Sequence, residues 1–140
     1  MQHTNNTTRK RSGFSLVELV VVVLIMGILA AVAAPKLFDK MDDARKSATR
    51  QSLAVLRGGI DLYKADAANN GAYPATLDLL YTNQLISGSF PKVEIGENQS
   101  DAVAAATESP IQNVVAGGAG WIYDATTGEI RVNDANYIDW

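Results

Sequence analysis

Between Leu19 and Ala34 the chain reads LVVVVLIMGILAAVAA without a single charged residue. That run is too long for a half-buried strand. With Phe14 to Glu18 added it would reach about 31 Å as a helix at 1.5 Å per residue, enough to cross the hydrocarbon of a bilayer. Arg9, Lys10 and Arg11 precede it and no acid does. The positive-inside rule therefore leaves residues 1–13 in the cytoplasm and carries everything after Ala34 outward.

Charge is segregated along the rest of the chain. Residues 14–68 hold seven bases and six acids, whereas residues 69–140 hold only Lys92 and Arg131 against nine acids. The overall net charge of -3 hides this division, and neither it nor the acidic C-terminal half attracts nucleic acid, so no nucleic-acid partner is expected. There is no cysteine and His3 is the only histidine. Disulfides, thiolate zinc sites, cysteine nucleophiles and multi-histidine metal centres are thereby excluded, and an enzyme is not expected.

Glu18 sits inside the apolar stretch with no Lys or Arg in the following turn. Such a carboxylate is costly in a membrane helix and is usually paired. An ordinary secretory signal cut after Ala31-Val32-Ala33, or a plain anchor for a ligand-binding module, is the alternative reading of the segment. Neither gives Glu18 a partner. A cut between Gly13 and Phe14 would, because the new α-amino group carries a positive charge at neutral pH four residues away.

The segment KRSGFSLVELVVVVLIMGILAAVAAPKL resembles the class III signal of type IV pilins and type II secretion pseudopilins. The resemblance rests on a basic leader ending in Gly13, then Phe14, Glu18 five residues into the mature chain, the apolar run and Pro35. It implies cleavage after Gly13 by a prepilin peptidase and N-methylation of Phe14. It further implies assembly into a homo-oligomeric helical filament in which Glu18 pairs with the Phe14 amine of a neighbouring subunit. An inner-membrane assembly platform and minor pilins or pseudopilins would be the further partners, and no cofactor is implied. Major pseudopilins often carry a calcium loop. Here Asp124, Glu129, Asp134 and Asp139 are scattered without the spacing of a compact oxygen-rich loop, so calcium is not supported by a clear site.

The fold class expected is α+β and pilin-like: a long N-terminal helix, transmembrane in its first half, packed against a small antiparallel sheet. The divisions expected are a cleaved leader at 1–13, a membrane or filament-core helix at 14–34, its amphipathic continuation at 35–68 and a small head at 69–140. Pro35 lacks an amide hydrogen and Gly27 weakens the helix, so the stretch between them is where a kink or local melting is expected.

Leu37, Met41, Ala44 and Ala48, then Leu53, Leu56, Ile60, Tyr63 and Ala67, recur at threes and fours, an apolar face for the head to cover. Lys40, Asp43, Arg45, Lys46, Arg50 and Arg57 read as solvated or subunit-contacting charge. Asn69-Asn70-Gly71 ends the helix, and Thr76 is positioned to cap a short helix over Leu77 to Thr82. Lys92 to Ile95 reads as a short strand, and Ala102 to Ala106 as a helical turn or loop. Gly120 to Asp124 and Glu129 to Asn133 flank Ala125-Thr126-Thr127-Gly128 as a β-hairpin whose apolar side chains cover the long helix. The segment NNGAYPATLDLL and the ending WIYDATTGEIRVN also resemble pseudopilins.

Overall fold

A computed structural model describes residues 13–140. The basic cluster Arg9, Lys10 and Arg11, and all of the expected leader except Gly13, lie outside the described residues. The elements are α1 (Leu16–Ala65), a 3-10 turn (Ala67–Asn69), α2 (Asp78–Thr82), β1 (Val103–Ala105), β2 (Trp121–Asp124) and β3 (Glu129–Val132). The chain divides into two units, Met1–Asp39 and Lys40–Trp140.

In the first unit every described residue is exposed, and α1 runs without interruption through Gly27 and Pro35. The local melting expected there is therefore absent in this state. Proline tolerates a helix where its missing hydrogen bond and its ring can be accommodated by small local adjustments.

In the second unit the C-terminal part of α1 supplies Thr49, Leu53, Leu56, Gly59 and Ile60 to the interior. This stripe meets Leu77, Leu80, Val93, Ile95, Trp121, Tyr123, Ile130 and Val132 in one core. The hairpin covers the helix as expected. The apolar face is shorter than expected, because Met41, Ala44, Ala48 and Ala67 are exposed. Thr49 is buried instead, since its hydroxyl accepts the Glu94 amide at 3.1 Å, a donor that would otherwise be buried without a partner.

The helix ends in steps. Asp66 accepts the Ala68 amide, and Asn70 takes a left-handed conformation (φ 50°) that closes the 3-10 turn. Thr76 does not cap α2. The N-cap position is Leu77, without a side-chain bond, and Thr76 contributes its carbonyl to the Leu79 amide at 3.3 Å.

The sheet has the order β1-β2-β3. β2 and β3 pair antiparallel, Trp121 opposite Val132 and Asp124 opposite Glu129. The four-residue connection is closed by the Gly128 amide on the Asp124 carbonyl at 2.8 Å. Gly128 has φ +76°, and a Cβ there would lie 2.2 Å from the Tyr73 ring, so both the turn and the packing require glycine.

Two expectations about this sheet are corrected. Ala102 to Ala106 is neither helical nor loop: Val103–Ala105 is a strand, and it pairs with β2 in parallel. The sheet is accordingly mixed, not wholly antiparallel. Lys92 to Ile95 forms no strand. It is held by single bonds, the Val93 amide to the Ser100 carbonyl at 3.1 Å and the Glu94 amide to the Thr49 hydroxyl at 3.1 Å, and just before it the Trp121 indole donates to the Pro91 carbonyl at 2.8 Å.

Asn133, fully buried, organises the loops between α2 and the hairpin. Its side-chain amide donates to the carbonyls of Val115 and Ala119, each at 2.8 Å, and its side-chain oxygen accepts the Val115 amide at 2.8 Å. Its carbonyl accepts the Asn98 side chain at 3.0 Å. Arg57, expected to be solvated charge, donates to the carbonyls of Ile130 (3.1 Å) and Trp140 (2.5 Å), and Arg50 lies 4.1 Å from the centre of the Trp140 ring. Burial and the nearby Arg131 charge lower the Arg57 pKa.

Candidate functional site

Gly13, Phe14 and Ser15 precede α1 in an irregular conformation, and all three are exposed. Exposed backbone outside regular secondary structure is what a protease can admit to its cleft. A Cβ on Gly13 would meet nothing within 4 Å, so no packing among the described residues requires glycine there. The same is true of Gly27. Phe14 is 78% exposed and Leu16 79%, a degree of apolar exposure that ordinary water would penalise by roughly 25 cal/mol for each Å² left uncovered.

Glu18 lies in the first turn of α1. There a carboxylate is favoured by the partial positive charge of the helix N-terminus, a local effect worth about 0.3–1 kcal/mol. The ion pairs among the described residues are Asp42 with Arg45, and Glu129 with Arg131. Glu18 takes part in neither. The structure thus brings Gly13, Phe14 and Glu18 onto one short exposed segment, with Gly27 and Pro35 further along the same helix.

From Leu16 onward α1 is long and apolar enough to cross a membrane, and none of its most apolar 18-residue window is buried. A core helix of a soluble domain would show the opposite burial. Leu37 and Phe38, just beyond Pro35, are 63% and 66% exposed.

The four carboxylates considered for calcium do not converge. Asp124 accepts the Thr126 amide at 2.8 Å and the Thr127 hydroxyl at 2.7 Å. Hydrogen bonds from Ser109, Thr127 and Thr126 hold its carboxyl well below the usual carboxylate range. Glu129 accepts the Ile111 amide at 3.0 Å and the Arg131 guanidinium at 2.8 Å. Partial burial pushes its pKa up, but those two partners outweigh it and the net shift is downward. Asp134 accepts the amides of Glu97 (3.0 Å) and Asn136 (2.9 Å). Gly96 has φ +73°, and a Cβ on it would lie 2.1 Å from the Asp134 carboxylate, so that loop also requires glycine. Asp139 is exposed. Three of the four carboxylates therefore serve as local backbone acceptors. Among the described residues no group of three or more acidic or histidine side chains could hold a metal ion.

Comparison with known proteins bears on the N-terminal segment. Residues 8–34 match the family model described as the prokaryotic N-terminal methylation motif, which includes Gly13, Phe14 and Glu18. The chain is 40% identical over 68 residues to the type II secretion system core protein G of Pseudomonas aeruginosa, a stretch covering 49% of this chain and 46% of that protein. The proteins of the same name from Vibrio cholerae and Escherichia coli are 38% identical over 68 residues (49% of this chain, 44% of the relative) and 36% identical over 69 residues (49% and 46%). The matched stretch spans slightly less than half the length of these relatives. No solved structure matches the chain.

Proposed function

We propose, from the premise that this chain carries the N-terminal signal of the type IV pilin and type II secretion pseudopilin family, that it is a structural filament subunit of the major-pseudopilin type. On this reading a prepilin peptidase cuts after Gly13 and methylates Phe14. The mature subunit waits in the inner membrane, single-pass, with its head outside, and is then drawn into a helical filament that serves protein secretion. Residues 14–34 form the filament core, 35–68 the continuation of the helix, and 69–140 the head.

The observation that carries this reading is Glu18 within an uncovered apolar helix, four residues beyond the exposed Gly13-Phe14 bond. A lone membrane anchor offers that carboxylate no ion-pair partner. In a bundle of identical helices, a Glu18 facing the Phe14 amine of a neighbour is matched only when the subunits are in register, so the pair specifies alignment more than it adds stability. Gly27 and Pro35, both intact in the helix here, mark where the subunit would lose helicity if it lengthens on assembly.

Mass spectrometry of the chain expressed with a prepilin peptidase tests the proposal. The expected N-terminus is N-methylated Phe14, and Gly13→Val is expected to leave the precursor uncut. A mature chain starting at Ala34 would refute the reading.

A further inference from the structure

β1 is an edge strand of the sheet. The Trp121 amide donates to the Ala102 carbonyl at 3.1 Å and the Ala106 amide to the Tyr123 carbonyl at 2.9 Å. Backbone groups alternate in direction along a strand, so Ala102, Ala104 and Ala106 face β2, while the N–H and C=O groups of Val103 and Ala105 point away from the sheet. Both residues are exposed. The usual protections of an open edge, a lysine, a proline or a bulge, are missing from Val103–Ala105.

Beside this edge lies a groove of about 690 Å³ whose lining includes Ala102 to Ala106, Ala75 to Asp78, Phe90 and the 124–126 turn. Leu77 and Phe90 give it apolar surface. Its charged lining residues are all acids: Asp78, Asp101 and Asp124. The Asp124 carboxylate is occupied by its own turn, but Asp78 and Asp101 are exposed and belong to neither ion pair among the described residues.

We propose that this groove binds an extended polypeptide segment carrying Lys or Arg at alternate positions, which adds to the sheet as a fourth strand beside β1. Main-chain bonds to Val103 and Ala105 supply the affinity, as in other cases of strand addition. Asp78 and Asp101 select the cationic side chains and repel acidic segments. A second copy of β1 is a poor occupant by the same rule, since it would bring its own Asp101 to the same groove. This site does not rest on the function proposed above.

The test uses the full chain in detergent micelles and amide chemical shifts. The probes are a capped peptide of alternating Lys and Val, its Glu and Val counterpart, and two copies of the Lys peptide, one N-methylated at the Lys residues and one at the Val residues. The expected result is saturable shifts of the Val103 and Ala105 amides with the Lys peptide only. These shifts should be lost on N-methylation of the peptide's pairing edge, and lost with Asp78→Lys combined with Asp101→Lys. Because N-methylation alters the peptide and leaves the protein intact, misfolding of a variant cannot mimic that loss. Binding that leaves the Val103 and Ala105 amides unmoved, or that tolerates N-methylation at the Lys positions and at the Val positions alike, would overturn the proposal. So would concentration-dependent shifts of these amides without peptide, which would assign the edge to a second copy.

Discussion

α1 is one helix in two environments. From Leu16 to Ala34 its side chains, Glu18 apart, are apolar on every face and all exposed; from Thr49 to Ile60 only one stripe is buried, and it is buried completely. An all-round apolar helix finds its solvent in lipid or in other such helices, whereas a striped one needs a single covering surface. The contrast teaches that Glu18 and Thr49, both polar residues among hydrophobes, are satisfied differently. Thr49 has its partner within the chain, the Glu94 amide. Glu18 has no ion-pair partner among the described residues.

The largest expected effect follows from that difference. Glu18→Ala removes a charge that no contact within the described chain uses, so cleavage after Gly13 and the thermal unfolding of the head should be unchanged while filament yield falls to near zero. Electron microscopy of sheared filaments, with immunoblotting of the processed subunit, measures both. Normal filaments from this variant would break the contrast between a locally satisfied and an intermolecularly satisfied polar residue.

Next in size is a pair of identical substitutions on the two parts of the helix. Leu56 is fully buried and Leu24 is 63% exposed. Leu56→Ala should cost the head about 2–5 kcal/mol, the range for leucine truncation in a packed core, and Leu24→Ala should leave its unfolding unchanged within about 0.5 kcal/mol. Denaturant titration in micelles, followed by Trp fluorescence, reads both, because Trp121 and Trp140 lie in the head. Equal effects would mean that the two stretches unfold as one cooperative unit.

How far the chain was legible depended on whether the deciding physics was local. The basic leader, Gly13, Phe14, Glu18 and the apolar run lie within one stretch of sequence and carry their own spacing, and residues 8–34 match a known motif. The hairpin was equally legible, since alternation and Gly128 are local signals. β1 was not. Ala102 to Ala106 has the composition of a helix, and it becomes a strand only because Trp121 to Tyr123 lie alongside to pair with it. Arg57 read as surface charge because nothing in the neighbouring sequence announces the carbonyls of Ile130 and Trp140, more than seventy positions away. Asn133 could have been suspected only as a polar residue continuing a buried strand pattern.

Asn133 yields the next prediction. Asn133→Leu has similar volume but removes three side-chain bonds to the backbone of Val115 and Ala119 and leaves the buried Ala119 carbonyl and the half-buried Val115 groups unmatched. A loss of about 1–3 kcal/mol is expected for an unsatisfied buried partner. Hydrogen exchange should show the effect centred on residues 113–120, with the amides of α1 between Leu16 and Ala34 unaffected.

The smallest effect separates the head from the uncovered apolar stretch by pH. Asp124 and Glu129 both have folded pKa values below their usual range, against unfolded values of about 3.9 and 4.3. A depressed carboxylate contributes its full stabilisation above the unfolded pKa and loses it as pH falls through the folded one. Head stability should therefore be level from about pH 7 down to about pH 5 and decline below about pH 4. Asp124→Asn should unfold more easily at neutral pH and converge on the parent protein in acid, with up to about one fewer proton taken up on unfolding. Urea titrations at stepped pH measure this. A constant gap between the two proteins from neutral pH into acid would mean that the hydroxyls of Ser109 and Thr127 and the Thr126 amide hold the protonated carboxyl as well as the carboxylate, and that the turn is fixed by geometry without help from charge.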